Sequence, residues 1–172
     1  DAQLSRGLGD VYKRQGHAIT MAKGKTSLTV DEMAPIARGT NDPQILMVNC
    51  KTSPYKTPEQ FVAGMRNGEK IKFGGTQTGT IDHLTVFLWA KRLGQPMPTY
   101  IPFKGGGELA TQLVAGAVDV GTLNLSEAAA PVEAGDICPL VILAHQGMAP
   151  IPKAKTAKQL GIDLVLSTTR GF

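Results

Sequence analysis

This chain of 172 residues lacks long apolar runs, metal-ligand clusters and catalytic signatures. No stretch approaches the roughly 18 to 20 apolar residues that a membrane-crossing helix needs, and no secretory leader is visible at its first residues. Aromatic residues make up 5% and charged residues 19% of the chain. The formal charge of +4 is carried by scattered lysines, not by a basic stripe with aromatics between them, which argues against nucleic-acid binding. Histidine is sparse: His17, His83 and His145 lie far apart, and neither a Gly-x-Ser-x-Gly elbow nor a His-Glu-x-x-His pair occurs. No catalytic residue, metal ligand or cofactor is therefore expected. Cysteine is nearly absent. Cys50 and Cys138 have no metal-ligand spacing, and two free buried thiols are expected, with one disulfide as the alternative.

What is present is a globular composition, 42% hydrophobic, long enough for one domain with a sizeable core or for one domain plus part of another. Residues 10–15, Asp-Val-Tyr-Lys-Arg-Gln, are what GATGTGTATAAGAGACAG encodes, and that string resembles the end of a transposase-based sequencing adapter. Residues 1–15 are accordingly read as a non-native tail, so the missing leader says nothing about compartment. After the short segment 16–20, Thr29 to Pro35 offers a capped half-turn. Residues 44–49 form a continuous apolar run, the signature of a strand buried on both faces. Thr57, Pro58 and Gln60 make a strong helix start, with a cap, a first-position proline and a capping-box partner; Phe61, Val62 and Met65 give that helix its buried face.

From there a pattern repeats. A strand at 71–73 leads through Gly74 to Gly79 into a helix over 80–93, on which Leu84, Phe87 and Leu88 fall at helical spacing and Trp89 is read as packing. A strand at 98–101 leads through Lys104-Gly105-Gly106-Gly107 into a helix over 108–115. A strand at 118–123 leads through Asn124-Leu125-Ser126-Glu127 into an alanine-rich helix over 126–134. A strand at 140–144, a short helix at 156–160 and a last strand at 163–169 follow. Strands alternating with helices imply βαβ units and a largely parallel sheet, with ligands outside the carboxyl ends of the strands. All three loops leave strands at that end.

The loop chemistry suits holding better than reacting. Bare backbone N–H groups and threonine hydroxyls at the positive end of a helix stabilise a carboxylate or phosphate without a dedicated cation; an ordinary turn capped by Thr80 is the alternative. Lys104 offers a charge to an anion or extends into solvent, and the loop lacks the Gly-Lys-Ser/Thr ending of a nucleotide P-loop. Asn124 and Ser126 serve a ligand or cap a helix. Asp82-His83 sits in a first helical turn, where Asp favours the dipole and His packs locally.

The run Phe73-Gly74-Gly75-Thr76-Gln77-Thr78-Gly79-Thr80-Ile81-Asp82-His83-Leu84 and the loop Tyr100-Ile101-Pro102-Phe103-Lys104-Gly105-Gly106-Gly107-Glu108 resemble the substrate-binding component of tripartite tricarboxylate transporters, the TctC or Bug family. Val118-Asp119-Val120-Gly121 before Asn124-Leu125-Ser126-Glu127, Ala134-Gly135-Asp136, and Gly161 to Leu166 before Arg170-Gly171 extend the likeness over residues 16–172. The resemblance implies a type II periplasmic-binding-protein-like α/β fold that closes over a small carboxylate, such as a tricarboxylate or dicarboxylate, and delivers it to the transporter's membrane subunits. It implies a periplasmic monomer that is not an enzyme. Carried over by position, Thr76, Gln77, Thr78, Gly79 and Thr80 match one ligand loop, Phe103, Lys104 and Gly105 a second, and Asn124 a third. Many relatives have Tyr at Phe103. Gly16-His17-Ala18 resembles a cleft segment, although Thr20-Met21 replace the usual Asn-Pro.

The same resemblance divides the chain into a first-lobe remnant and hinge at 16–48, a second ligand-binding lobe at 49–160 and a return strand at 161–172, with most of the first lobe missing. One jaw of a two-jaw site is expected to bind carboxylates weakly or not at all by itself. The competing reading is the effector domain of a transcription regulator, or an enzyme, on the same scaffold; a regulator needs an upstream helix-turn-helix, and an enzyme an ionisable pair in the cleft.

Overall fold

The computed structural model describes residues 12–13, 21–32, 34 and 36–171. The segment 16–20, and the tail apart from Tyr12 and Lys13, lie outside the described residues. The chain forms two units, residues 1–41 with 168–172, and residues 42–167.

In the first unit a 3-10 turn, Val30–Glu32, is held by Thr29, whose N–H and hydroxyl both donate to Glu32 Oε2 at 2.7 and 2.9 Å. Those bonds hold the exposed Glu32 carboxyl below the usual carboxylate range. Strands β1 (Tyr12–Lys13), β2 (Arg38–Pro43) and β9 (Ser167–Gly171) make a sheet in the order β1-β9-β2. The apolar pattern gave no warning of β2, because Arg-Gly-Thr-Asn-Asp-Pro is polar and its first four residues are exposed.

The second unit holds β3 (Ile45–Asn49), α1 (Pro58–Arg66), β4 (Lys72–Gly75), α2 (Ile81–Arg92), β5 (Thr99–Pro102), α3 (Gly106–Val114), β6 (Val120–Leu123), α4 (Leu125–Glu133), β7 (Ile137–Ile142) and β8 (Lys155–Thr156). Its six-stranded sheet has the order β5-β4-β6-β3-β7-β8. Neighbours β5, β4 and β6 are parallel, as are β7 and β8, while β3 runs antiparallel to β6 and β7. The mostly parallel sheet is thus split by one reversed central strand.

Every residue of β3 is buried, as its unbroken apolar run predicts, and its alternation feeds two cores. Leu46 and Val48 join Phe61, Phe73, Val86, Trp89 and Val120 under α1 and α2. Ile45 and Met47 join Leu109, Leu113, Leu123 and Ile142 under α3 and α4. Each large side chain so buried contributes about 1.5–3 kcal/mol.

Helix α1 starts as its sequence predicts: Thr57 Oγ1 accepts the Gln60 N–H at 3.2 Å and Gln60 Oε1 accepts the Thr57 N–H at 3.2 Å. Trp89 is fully buried and stacks on Phe61, with ring centroids 5.9 Å apart. The face expected for α2 is corrected. Asp82, Thr85, Val86, Trp89 and Ala90 turn inward, whereas Leu84 and Phe87 are exposed. Apolar residues surround that helix, so spacing alone selects no side.

The free-thiol expectation is also corrected, since Cys50 and Cys138 form a disulfide with Cα atoms 5.0 Å apart. The antiparallel register of β3 and β7 sets Val48 opposite Cys138 and Asn49 opposite Ile137, which brings the residue after β3 to its partner across 88 positions. Near the carboxyl end, β8 and a 3-10 turn, Lys158–Leu160, replace the short helix expected over 156–160, and strand structure begins only at Ser167.

Candidate functional site

The parallel order β5-β4-β6 brings three carboxyl ends to one edge, and each is followed by a loop and a helix start. The reversed strand β3 begins at the same edge, with Ile45 opposite Leu123.

The loop after β4 is pinned from beneath. Asp82, only 6% exposed, accepts the Thr76 N–H at 2.8 Å and the Thr76 hydroxyl at 2.5 Å, both on Oδ2. The Tyr100 hydroxyl donates to the Thr76 carbonyl at 2.5 Å. Burial, and then the Asp82 charge, push the Tyr100 phenol well above its ordinary value. The His83 ring meets Tyr100 edge-on, with centroids 4.8 Å apart, so it packs locally as its position predicts. Thr80 is the N-cap residue of α2 but makes no side-chain cap; its hydroxyl pairs with that of Thr76 at 3.0 Å. A Cβ added at Gly75 would overlap the Tyr100 hydroxyl and stand 2.8 Å from Asp82 Cβ. Gly79 takes φ +83°, the left-handed region that glycine tolerates best.

The consequence lies on the outer side of this loop. Gln77 and Thr78 are exposed, and among the described residues their N–H groups have no partner. They stand beside the start of α2, a helix of 12 residues, where the helix dipole favours an anion.

The second loop joins the first through the Phe103 N–H, which donates to the Gly75 carbonyl at 2.8 Å. The half-buried Phe103 ring packs into the core under α3 and α4 and lies against Gly74. The Lys104 N–H donates to Glu108 Oε2 at 2.9 Å, and its exposed side chain makes no ion pair among the described residues. Gly105 is the N-cap residue of α3. Gly106 is buried beneath Glu127, whose carboxylate oxygens would stand 2.7 Å from a Cβ there.

In the third loop Asn124 is buried, and both hydrogens of its amide are committed, to the carbonyls of Asp42 and Pro43 at 2.9 Å each. Its N–H donates to Glu127 Oε2 at 3.1 Å. The Ser126 hydroxyl donates to Asp42 Oδ2 at 2.5 Å. The three loops singled out in the sequence thus lie at one edge of the sheet, and sequence reasoning missed the groups that hold them, Asp82, Tyr100 and Glu127. The available signal was an aspartate in the first turn of α2, six residues beyond Thr76, placed to reach back to the loop.

Among the described residues no group of three His, Cys, Asp or Glu side chains is arranged to hold a metal, and no helix is long and apolar enough to cross a membrane. An open recess of about 440 Å³ lies at the opposite ends of β4 and β5, lined in part by Met65, Glu69, Ile71, Gln95, Met97 and Thr99.

The family model described as tripartite tricarboxylate transporter family receptor, TctC, matches residues 18–171. No curated protein sequence matches the chain. A TctC solute-binding protein from Polaromonas, solved without ligand, is 28% identical with a TM-score of 0.79, over 88% of this chain and 52% of that one. MatC from Rhodopseudomonas palustris with bound malate is 22% identical with a TM-score of 0.70, over 81% and 48%. A second R. palustris protein, solved with adipate, is 22% identical with a TM-score of 0.71, over 80% and 46%. The last two share the fold. The chain spans about half the length of these solved relatives.

Proposed function

The chain belongs to the tripartite tricarboxylate transporter receptor family, TctC, and on that premise we propose that it is the ligand-binding lobe of a solute-binding protein that captures a small carboxylate for such a transporter. The observation that carries this reading is the loop after β4. Asp82 and Tyr100 hold its backbone from below, and the N–H groups of the exposed Gln77 and Thr78 have no partner among the described residues and stand beside a helix start. A carboxylate there accepts charge-assisted hydrogen bonds that are preformed, so little ordering entropy opposes binding. Thr76, Gln77, Thr78, Gly79 and Thr80 form the floor of the site. Phe103, Lys104 and Gly105 form one wall, with Lys104 supplying a cation, and Asn124 ties the third loop to the end of β2.

The second unit is one lobe of two, in keeping with a span of about half the solved relatives. The protein acts as a monomer in the periplasm, where a disulfide such as Cys50–Cys138 persists. Its partners are the transporter's membrane subunits. Hydroxyls and amides at the site favour holding a ligand over transforming one.

The test is thermal unfolding of the full-length protein against di- and tricarboxylates, including malate and adipate, together with aromatic acids and amino acids. A ligand at about 100 times its Kd adds about 2.7 kcal/mol to the folded state. One class is expected to raise the midpoint, and Thr78→Pro, which removes one of the two unpartnered N–H groups, to lessen the rise. A folded protein that no acid stabilises, or a folded Thr78→Pro variant that responds like the parent, overturns the reading.

A further inference from the structure

The end of the sheet away from the three loops holds a recess that the carboxylate site does not use. Strand β3 begins at the loop edge, so Cys50, the residue after it, and Ile137, the first residue of β7, stand at the other edge. Together with the segment that leads into β8 they line a recess of about 250 Å³. Much of its lining is apolar. Ile137, Leu140 and Ile151 are no more than 5% exposed, and Pro58, Val132 and the Cys50–Cys138 bridge stand beside them. Such a lining favours an apolar body over water. The volume falls below the roughly 300–1,000 Å³ of sites for drug-sized molecules, so the body is small and compact.

Its charge has one sign. Among the described residues Lys56 and Lys153 line the recess and no carboxylate does. The Lys56 ammonium is already positioned: it donates to the carbonyls of Cys50 at 2.9 Å and Lys51 at 3.2 Å, which leaves one of its three hydrogens. Lys153 makes no hydrogen bond or ion pair among the described residues. Of the acidic residues that adjoin the lining in sequence, Glu59 pairs with Lys155 and Asp136 with Lys51, and Glu133 is exposed and does not line the recess. The start of α1 and the end of α4 both border it, so their dipoles oppose each other and the lysines set the sign. We propose that this recess is a second ligand site, for a small acid with one carboxylate on a compact apolar body. The body packs against Val132, Leu140 and Ile151, and the carboxylate meets the exposed Lys56 and Lys153 in charge-assisted hydrogen bonds. A neutral molecule of the same shape lacks the ion pairs, and a bare carboxylate lacks the apolar contact, so both halves are required.

The experiment is methyl NMR of the full-length protein titrated with benzoate, with benzamide as its neutral counterpart and acetate as the charge without the body. Benzoate is expected to shift the Val132, Leu140 and Ile151 methyl signals and to bind there about tenfold more tightly than benzamide or acetate. Lys153→Gln, at an exposed position, is expected to weaken benzoate about threefold, the scale of one exposed ion pair, and to leave benzamide unchanged. Benzoate that moves none of those methyls at about 10 mM, beyond the millimolar scale of weak binding, overturns the proposal. Shifts confined to residues 76–80 place benzoate in the loop site alone and overturn it too. Benzamide that binds the recess as tightly as benzoate removes the role of charge and has the same effect, as does a folded Lys153→Gln protein that separates the two as the parent does.

Discussion

Two loops of the same sheet edge, 76–80 and 124–127, look alike in sequence and do opposite things with their polar groups. Both leave parallel strands and open a helix. In the first, the side chains hold the loop's own backbone: Thr76 binds Asp82 within the next helical turn, and Tyr100 reaches in from the neighbouring strand. In the second, the side chains reach across to a distant stretch, Asn124 to Asp42 and Pro43 and Ser126 to Asp42. An inward anchor leaves backbone donors without a partner among the described residues, whereas an outward reach spends the side chains as ties. Residue type does not separate a loop with open donors from a tie; the address of the hydrogen-bond partner does.

The comparison is most severely tested by glycine. Gly75→Ala drives a methyl into the Tyr100 hydroxyl and Asp82 and is expected to cost about 3 kcal/mol in denaturant unfolding, the upper part of the overpacking range. Gly105→Ala meets nothing within 4 Å and keeps an extended backbone at φ −175°, so it is expected to cost less than about 1 kcal/mol, the scale of an N-cap change. Equal losses would mean that the first loop is not pinned as described. A finer contrast comes from Asp82→Ala and Asn124→Ala. Each strands polar groups that are buried or half-buried and is expected to cost about 1–3 kcal/mol. Ligand stabilisation should vanish in the first and survive in the second, and a folded Asn124→Ala protein without it erases the distinction.

The smallest effect is in alkali. Burial and the Asp82 charge raise the Tyr100 phenol, and burial with the Glu69 hydrogen bond raises Tyr55. The folded chain therefore holds these protons more tightly than the unfolded one. Their contribution is fully present below the ordinary tyrosine value near pH 10 and is lost as the pH climbs beyond it. Phenolate absorbance should show both rings still protonated at pH 10, and Tyr100→Phe should lessen the alkaline fall in stability. Normal titration of both would remove Tyr100 as an anchor.

Much of the second unit was legible in its sequence. Thr57, Pro58 and Gln60 announced α1 because capping is local chemistry, and the run into β3 announced a strand buried on both sides. What failed depended on distant partners. The face of α2 follows from what lies beneath it, since its own residues are apolar on most sides. The Cys50–Cys138 bond follows from the β3–β7 register, and β2 from pairing within a polar stretch that has no apolar alternation. At the site, the loops were visible as glycine and threonine, yet Asp82, Tyr100 and Glu127 acquired their roles only when the fold chose their neighbours.

The disulfide has one further consequence, for the connectivity of the molecule. Cys50 and Cys138 close a covalent ring that contains α1, α2, α3 and α4 together with all three loops of the site. A single backbone cut at an exposed loop tip, where proteases act most readily, opens the ring without dividing it. The two pieces stay joined through sulfur and separate only when that bond is reduced.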